Sequence, residues 1–211
     1  LAAEAAAPEG MTFCDLRSLY FRGQLSEEQL ALAGRAIQVM EWDRTHQFCG
    51  ACGTPTEPQA HARARICPRC RLEAYPRVSP AMIVAVERGE EVLLARSPHC
   101  PPGIYSTLAG FVDPGESAEA CVAREVHEET GVRVKNIRYY QSQPWPFPHS
   151  LMLGFFCEWQ SGQVIPDGVE IEDAAFFHVD ALPKLFPTRR SISAQLLVDF
   201  CTRHGRRYPV P

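Results

Sequence analysis

Residues 44–74 are too polar to build a core, yet they carry two CxxC pairs, Cys49 with Cys52 and Cys67 with Cys70. Fourteen residues separate the pairs, and each forms a tight turn able to present two thiolates to one ion. Four sulfurs so spaced suit a tetrahedral Zn²⁺ in a ribbon or knuckle, and an ion with four protein ligands keeps no open position, so its role is structural. Its binding energy is then folding energy. Gly50, Gly53 and Pro68 stand where knuckle turns need special backbone angles. The competing readings are disulfides or incidental pairs, an iron–sulfur centre, and a redox dithiol, which has no need of a matched second pair.

The whole chain has 211 residues, 45% of them hydrophobic, with a formal charge of -4. That is enough for one substantial core with a smaller module beside it. No run of 18 apolar residues exists to span a bilayer, and a mildly acidic chain is a poor general binder of duplex nucleic acid. The other five of the nine cysteines, Cys14, Cys100, Cys121, Cys157 and Cys201, follow no pattern. An odd count without a signal peptide points to a reducing compartment, and a cytoplasmic location is expected. The sequence opens on Leu1 rather than methionine, so a trimmed chain, a cleaved product or a missing first segment is expected.

Ser26 and Gln29 form a capping box flanked by Leu25 and Leu30, which predicts a helix from Glu27 to about Glu41 with Leu30, Ala33, Ile37 and Met40 on its packed face. From Tyr75 the composition changes. "AMIVAV" and "EVLLAR" read as a hairpin, and "SLMLGFFCEW" and "AAFFHV" as later strands. A helix is expected over Ser117–Thr130, stopped by Gly131, and a last one from Ser191 to about Arg203. No internal repeat is present.

Within the Ser117–Thr130 helix, Glu125, Glu128 and Glu129 are three and four residues apart and crowd one face, where like charges repel unless cations neutralise them. Ala120, Val122, Ala123 and Val126 are expected to cover the other side. A solvated acidic face is the bland alternative, but it does not explain the punctuation of the preceding loop by Gly110, Gly115 and Glu116, nor Arg124 beside the cluster. Hard divalent ions such as Mg²⁺ or Mn²⁺ prefer carboxylate oxygens and bridge to phosphates, so this face points to metal-assisted phosphoanhydride hydrolysis.

Gly110, five residues, Glu116, seven residues and then "REVHEETGV" resembles the Nudix box at every fixed position. The resemblance implies an α+β fold, the Nudix α/β/α sandwich, and cleavage of a nucleoside diphosphate linked to another moiety. It implies that Glu125 and Glu129 are the principal metal carboxylates with Glu128 assisting, that Gly110 shapes the loop–helix junction, that Glu116 anchors the loop, and that Arg124 orients the box glutamates.

"SQPWPFPHS", Ser142–Ser150, alternates three prolines with Trp145 and Phe147 and is therefore expected as a rigid loop or bulge after a strand ending near Tyr140. A structural proline turn is the alternative. Downstream of a Nudix box and a zinc ribbon, it resembles the signature of the NADH pyrophosphatase, NudC-like, subfamily over residues 44–200. The resemblance implies dinucleotide contacts from Gln143, Pro144, Trp145, Pro146, Phe147, Pro148, His149 and Ser150, a base-stacking role for Phe111, and substrate contact from Tyr75. In "DGVEIEDAAFF" it assigns a further metal-centre carboxylate to Glu170 rather than Glu172. Two departures are Phe176, where the subfamily has tryptophan, and Ser193, where it has alanine beside the expected ligand contact.

These readings divide the chain into a partial N-terminal domain, 1–43, a zinc ribbon, 44–74, and a Nudix catalytic domain, 75–211. The expected reaction is hydrolysis of the diphosphate of NADH or NAD⁺ to NMNH or NMN and AMP, with structural Zn²⁺ and catalytic Mg²⁺ or Mn²⁺. Glu129 and Glu170 are both candidate general bases, and Glu128 and Arg124 complete the catalytic set. NAD-capped RNA is a second implied substrate, with the arginine runs "HARARIC" and "RHGRRY" as phosphate contacts or, more in keeping with a net-acidic chain, solvated surface. The subfamily implies a homodimer. The alternatives are a broad nucleoside-diphosphate hydrolase acting on ADP-ribose or diadenosine compounds, and a non-catalytic nucleotide or RNA-binding module.

Overall fold

A computed structural model describes residues 6–186 and 188–210. The chain divides into two compact units, one of residues 1–77 with 146–149 and one of residues 78–145 with 150–211.

In the first unit, α1 (Leu16–Phe21) begins at Asp15, whose carboxylate accepts the Ser18 N–H at 2.8 Å. No sequence periodicity announces this short helix. The capping box at Ser26 starts α2 (Glu27–Thr45), which runs four residues past the expected end at Glu41. Its packed side also differs from expectation. Gly34 and Trp42 are buried, whereas Ile37 and Met40 are exposed. Strands β1 (Glu57–Pro58), β2 (Arg65–Ile66) and β3 (Glu73–Ala74) form a small antiparallel sheet in the order β1-β2-β3.

The second unit is built on a mixed six-stranded sheet. Its strands are β4 (Ser79–Arg88), β5 (Glu91–Arg96), β6 (Leu108–Phe111), β7 (Arg133–Trp145), β8 (Ser150–Ser161) and β9 (Asp173–His178). The order is β7-β8-β4-β5-β9, with β6 paired antiparallel to β4. The "AMIVAV" and "EVLLAR" runs form the expected hairpin, and β4 also pairs in parallel with β8. Both faces are covered, so β4 and β5 are apolar on both sides. Alternation then sorts their side chains. Ile83, Ala85, Val92 and Leu94 pack with Ile192, Leu196, Leu197 and Phe200 of α4 (Ile192–Arg203). Met82, Val84, Val86 and Leu93 pack with Cys121, Val122 and Val126 of α3 (Ala118–Thr130). The result is the expected α/β/α sandwich.

Two local expectations are corrected. On α3, Ala120 and Ala123 are exposed, and Cys121, Val122 and Val126 do the packing. β7 does not stop near Tyr140 but continues to Trp145, with Pro144 opposite Leu151 and Trp145 opposite Ser150. A proline is tolerated there because β7 is an edge strand and its pairing with β8 is already interrupted by three register shifts. Only Pro146–His149 remains as a turn.

Candidate functional site

The catalytic candidates converge on the second half of α3 and the loop that carries Glu170. Ser117 caps this helix, and Gly131 ends it in the left-handed conformation at φ 70°. Glu125 and Glu129, one turn apart, both face inward. Glu129 is only 5% exposed, and among the described residues no hydrogen-bond partner meets its buried Oε2. Burial, and after it the charges of Glu125, Glu170, Asp167 and Glu128, push its carboxyl up to about 8. Burial also raises Glu125.

Gly110, at the end of β6, explains how Glu125 fits. A Cβ built on Gly110 would lie 2.1 Å from the Glu125 carboxyl carbon, so the backbone and the carboxylate occupy space that any other residue would claim. Arg124 organises the rest. Its Nε and Nη2 each donate to Glu116 at 2.8 Å, and its Nη1 lies 3.0 Å from both Glu125 and Glu128. It also donates to the Phe111 carbonyl at 3.1 Å. Held chiefly by this fork, with the Asp113 N–H also donating to it, Glu116 falls to about 2.

The loop carrying Glu170 is tied to the last turn of α3. Ile165 N–H donates to the Thr130 carbonyl at 2.9 Å, and Asp167 N–H to the Glu129 carbonyl at 3.1 Å. Asp167 in turn accepts the N–H groups of Val169, Glu170 and Ile171, which hold its carboxyl low. This aspartate lies in the quoted "DGVEIEDAAFF" run, but only the structure reveals its anchoring role. Glu170 and Glu129 line one concavity of about 460 Å³ together with Ser97, Thr107 and Val169. Glu172, the competing carboxylate, is instead paired with Arg96.

The other substrate candidates are placed unequally. Phe111 is 57% exposed at the edge of the box. Both ends of the Gln143 amide are engaged at the start of α4, accepting Ile192 N–H and donating to the Arg190 carbonyl, each at 2.8 Å. The Ser193 hydroxyl is likewise satisfied internally, accepting from Thr107 at 2.8 Å and lying 3.1 Å from Ser106. Phe176 keeps its packing role with the Arg88 guanidinium 3.9 Å from its ring centre. Pro144, Trp145 and Ser150 lie in the paired ends of β7 and β8. Tyr75, Pro146, Phe147, Pro148 and His149 belong to the first unit. There Tyr75 is exposed with its hydroxyl donating to Glu73, and Phe147 packs its ring against Tyr20.

The arginine runs are largely committed to ion pairs. Arg65 is buried and bonded to Asp43 and Thr56, Arg203 pairs with Glu87 and Asp199, and Arg206 pairs with Asp180. Among the described residues no helix is long and apolar enough to cross a membrane.

In the first unit the four predicted ligand sulfurs gather within 4.8 Å of one another, with Cys49–Cys70 and Cys52–Cys67 each at 3.5 Å. A tetrahedral Zn–S₄ centre places its sulfurs about 3.8 Å apart, so the donor set fits. Each knuckle has the same closure. Gly53 N–H donates to the Cys49 carbonyl and Arg71 N–H to that of Cys67, both donors in the left-handed region at φ 70° and 64°. Gly53 meets its expectation. Gly50 does not, and in the second knuckle the special angle falls on Arg71 rather than at Pro68.

These features meet in a known family. The chain matches the NUDIX domain over residues 76–197, the NADH pyrophosphatase zinc ribbon domain over residues 44–75, and the NADH pyrophosphatase-like rudimentary NUDIX domain over residues 1–42. It belongs to the Nudix hydrolase family. Its relatives include the NAD-capped RNA hydrolase NudC of Pseudomonas aeruginosa, 52% identical over 202 residues, which are 95% of this chain and 72% of the relative. The NAD-capped RNA hydrolase NudC of Deinococcus radiodurans is 50% identical over 186 residues, 86% of this chain and 66% of the relative. Among solved structures, a NUDIX hydrolase from Nitrosomonas europaea shares the fold at a TM-score of 0.61 and 24% identity, covering 76% of this chain and 94% of its own.

Three outcomes follow from this geometry. Gly110→Ala should leave the far-ultraviolet circular dichroism intact while weakening Mn²⁺ binding about tenfold or more in calorimetric titration, because Glu125 must move. Glu116 contributes stability that is present above its ordinary value of 4.5 and lost as pH falls through about 2. Acid titrations of Glu116→Gln should therefore lack that pH-dependent loss. Verified removal of zinc should abolish amide-exchange protection across residues 44–74, and unchanged protection would contradict a structural metal.

Proposed function

We propose that the chain hydrolyses the diphosphate of NAD(H), free or at the 5′ end of RNA, releasing the nicotinamide mononucleotide. The observation that carries the reading is the burial of Glu129 among Glu125, Glu128 and Glu170, with one oxygen that meets no partner among the described residues. Four carboxyl groups so arranged suit divalent cations, Mg²⁺ or Mn²⁺, and are poorly suited to holding a diphosphate by themselves. The choice of NAD(H) is supported by the names of the relatives and by the "SQPWPFPHS" signature.

Glu125, Glu128, Glu129 and Glu170 would hold the cations. When bound, these ions would offset the charge of the diphosphate and orient the attacking water. The protein's own residues then have separate tasks. Arg124 holds Glu125 and Glu128 at 3.0 Å and is itself fixed by Glu116, so the carboxylates are positioned before substrate arrives. Glu170 and Glu129 remain the two candidates to take the proton from water. Glu170 is exposed on its loop, whereas Glu129 is confined, and a carboxylate heavily engaged with cations is the weaker base. Phe111 offers an exposed ring for a base. Gln143 and Ser193 act by fixing the start of α4, since their polar atoms are already engaged.

The same proposal keeps the division into a partial N-terminal domain, a zinc ribbon with structural Zn²⁺, and a catalytic domain. It includes a homodimer, supported by the subfamily resemblance. It also places the protein in the cytoplasm, supported by an odd number of cysteines, four of them gathered as a metal donor set rather than paired as disulfides.

Glu129→Gln should lower kcat/KM by about 10²–10⁴-fold with folding near intact. Rates on NADH, NAD⁺, ADP-ribose, diadenosine diphosphate and a short NAD-capped RNA, with products identified by mass, test the substrate. Preference for NAD(H) or capped RNA is expected, and equal rates across the panel would leave a broad diphosphatase.

A further inference from the structure

The segment between β8 and β9 that carries Glu170 has no regular secondary structure, yet from Asp167 to Glu172 every backbone N–H has an acceptor. Asp167 donates to the Glu129 carbonyl at 3.1 Å, Gly168 to that of Ile171 at 3.0 Å, and Glu172 to that of Arg96 at 3.0 Å. The three amides between them, of Val169, Glu170 and Ile171, converge on a single atom, Oδ1 of Asp167, at 3.1, 3.2 and 2.8 Å. Gly168, in the left-handed region at φ 73°, makes the bend that turns them back toward it.

Packing does not account for this order on the solvent side. Ile171 is 7% exposed and joins the core beneath α3, so it roots the loop. Val169, however, is 76% exposed, and Glu170 beside it is exposed as well. Hydrogen bonds therefore set where these two residues stand, and bonds from amides to an ionised carboxylate are the stronger kind. The far end is closed by the ion pair of Glu172 with Arg96. A loop that closes over substrate is drawn from weakly held backbone. This one is held at α3, at β5 and to itself.

We propose that Asp167 is a positioning residue for the hydrolysis. Its carboxylate fixes the Glu170 backbone, so that Glu170 lines the concavity with Glu129 before cations and substrate arrive. The loop is a fixed platform rather than a lid, and Asp167 acts only through Glu170. The inference rests on the reading of Glu170 as part of the hydrolytic centre.

The test uses the zinc-loaded full chain with Mn²⁺ and whichever dinucleotide of the substrate panel it cleaves best. Asp167→Ala should lower kcat about 10–100-fold and change KM less than about threefold, because a reacting carboxylate is misplaced while the groups that bind substrate stay. Asp167→Asn keeps an acceptor at the Oδ1 position and should hold kcat within about threefold of the wild type. Both variants lose the charge, so the difference between them isolates the hydrogen bonds. Amide exchange without Mg²⁺ or Mn²⁺ gives a readout free of turnover, and in the wild type it applies whether or not the alanine variant folds. The amides of Val169, Glu170 and Ile171 should exchange about 100-fold or more below their intrinsic rates, and Asp167→Ala should remove that protection. Exchange at intrinsic rates in the wild type, or equal losses of kcat in Asp167→Ala and Asp167→Asn, would overturn the proposal. Glu170→Gln separates it from its premise. A slow Glu170→Gln beside an Asp167→Ala that keeps the wild-type kcat overturns the positioning role alone, whereas a Glu170→Gln with wild-type kcat overturns the reading of Glu170 and the proposal with it.

Discussion

A carboxyl group buried among other carboxyl groups is the interaction on which the catalytic half depends. Placing Glu129 out of water raises its own proton affinity, and Glu125, Glu170, Asp167 and Glu128 add to the penalty. Such a cluster persists only where the surrounding structure holds it, and the surroundings are built for that. Gly110 leaves room for the Glu125 carboxylate, Arg124 spans Glu116, Glu125 and Glu128, and the Glu170 loop is hydrogen-bonded to the carbonyls that end α3. The neutralising charge that remains to be supplied is that of the divalent cations, which couples catalysis to metal binding.

The sheet supplies the rigidity this arrangement needs. β4 and β5 are apolar on both faces, so alternate residues anchor α3 on one side and α4 on the other. Because Gly110 pairs with Met82 of β4, the glycine that admits Glu125 is fixed by a strand buried along its middle six residues. The ribbon solves a different problem. With few apolar residues to bury, it gathers four thiols to the spacing of a tetrahedral ion.

Much of this was legible in the sequence because the signals are local. The capping box at Ser26, the Ser117 to Gly131 helix, the β4–β5 hairpin and the cysteine spacing all report short-range chemistry, and the structure follows them. The carboxylates on α3 were legible from helical spacing alone. What escaped is set by tertiary contact. Edge position allows β7 to carry Pro144, contrary to the propensity argument, and the packed side of α2 lies over Gly34 and Trp42 rather than along the more apolar Ile37 and Met40. The internal satisfaction of Gln143 and Ser193 depends on partners tens of residues away along the chain, which no local pattern specifies.

The most direct measurement is the titration of Glu129 by NMR with ¹³C-labelled glutamate side chains, assigned with Glu129→Gln, with and without Mg²⁺. Without the ion, the group is expected to titrate near 8, and saturating Mg²⁺ should hold it ionised at neutral pH. An ordinary carboxylate titration near 4.5 in both conditions would contradict the account of a buried, cation-requiring cluster.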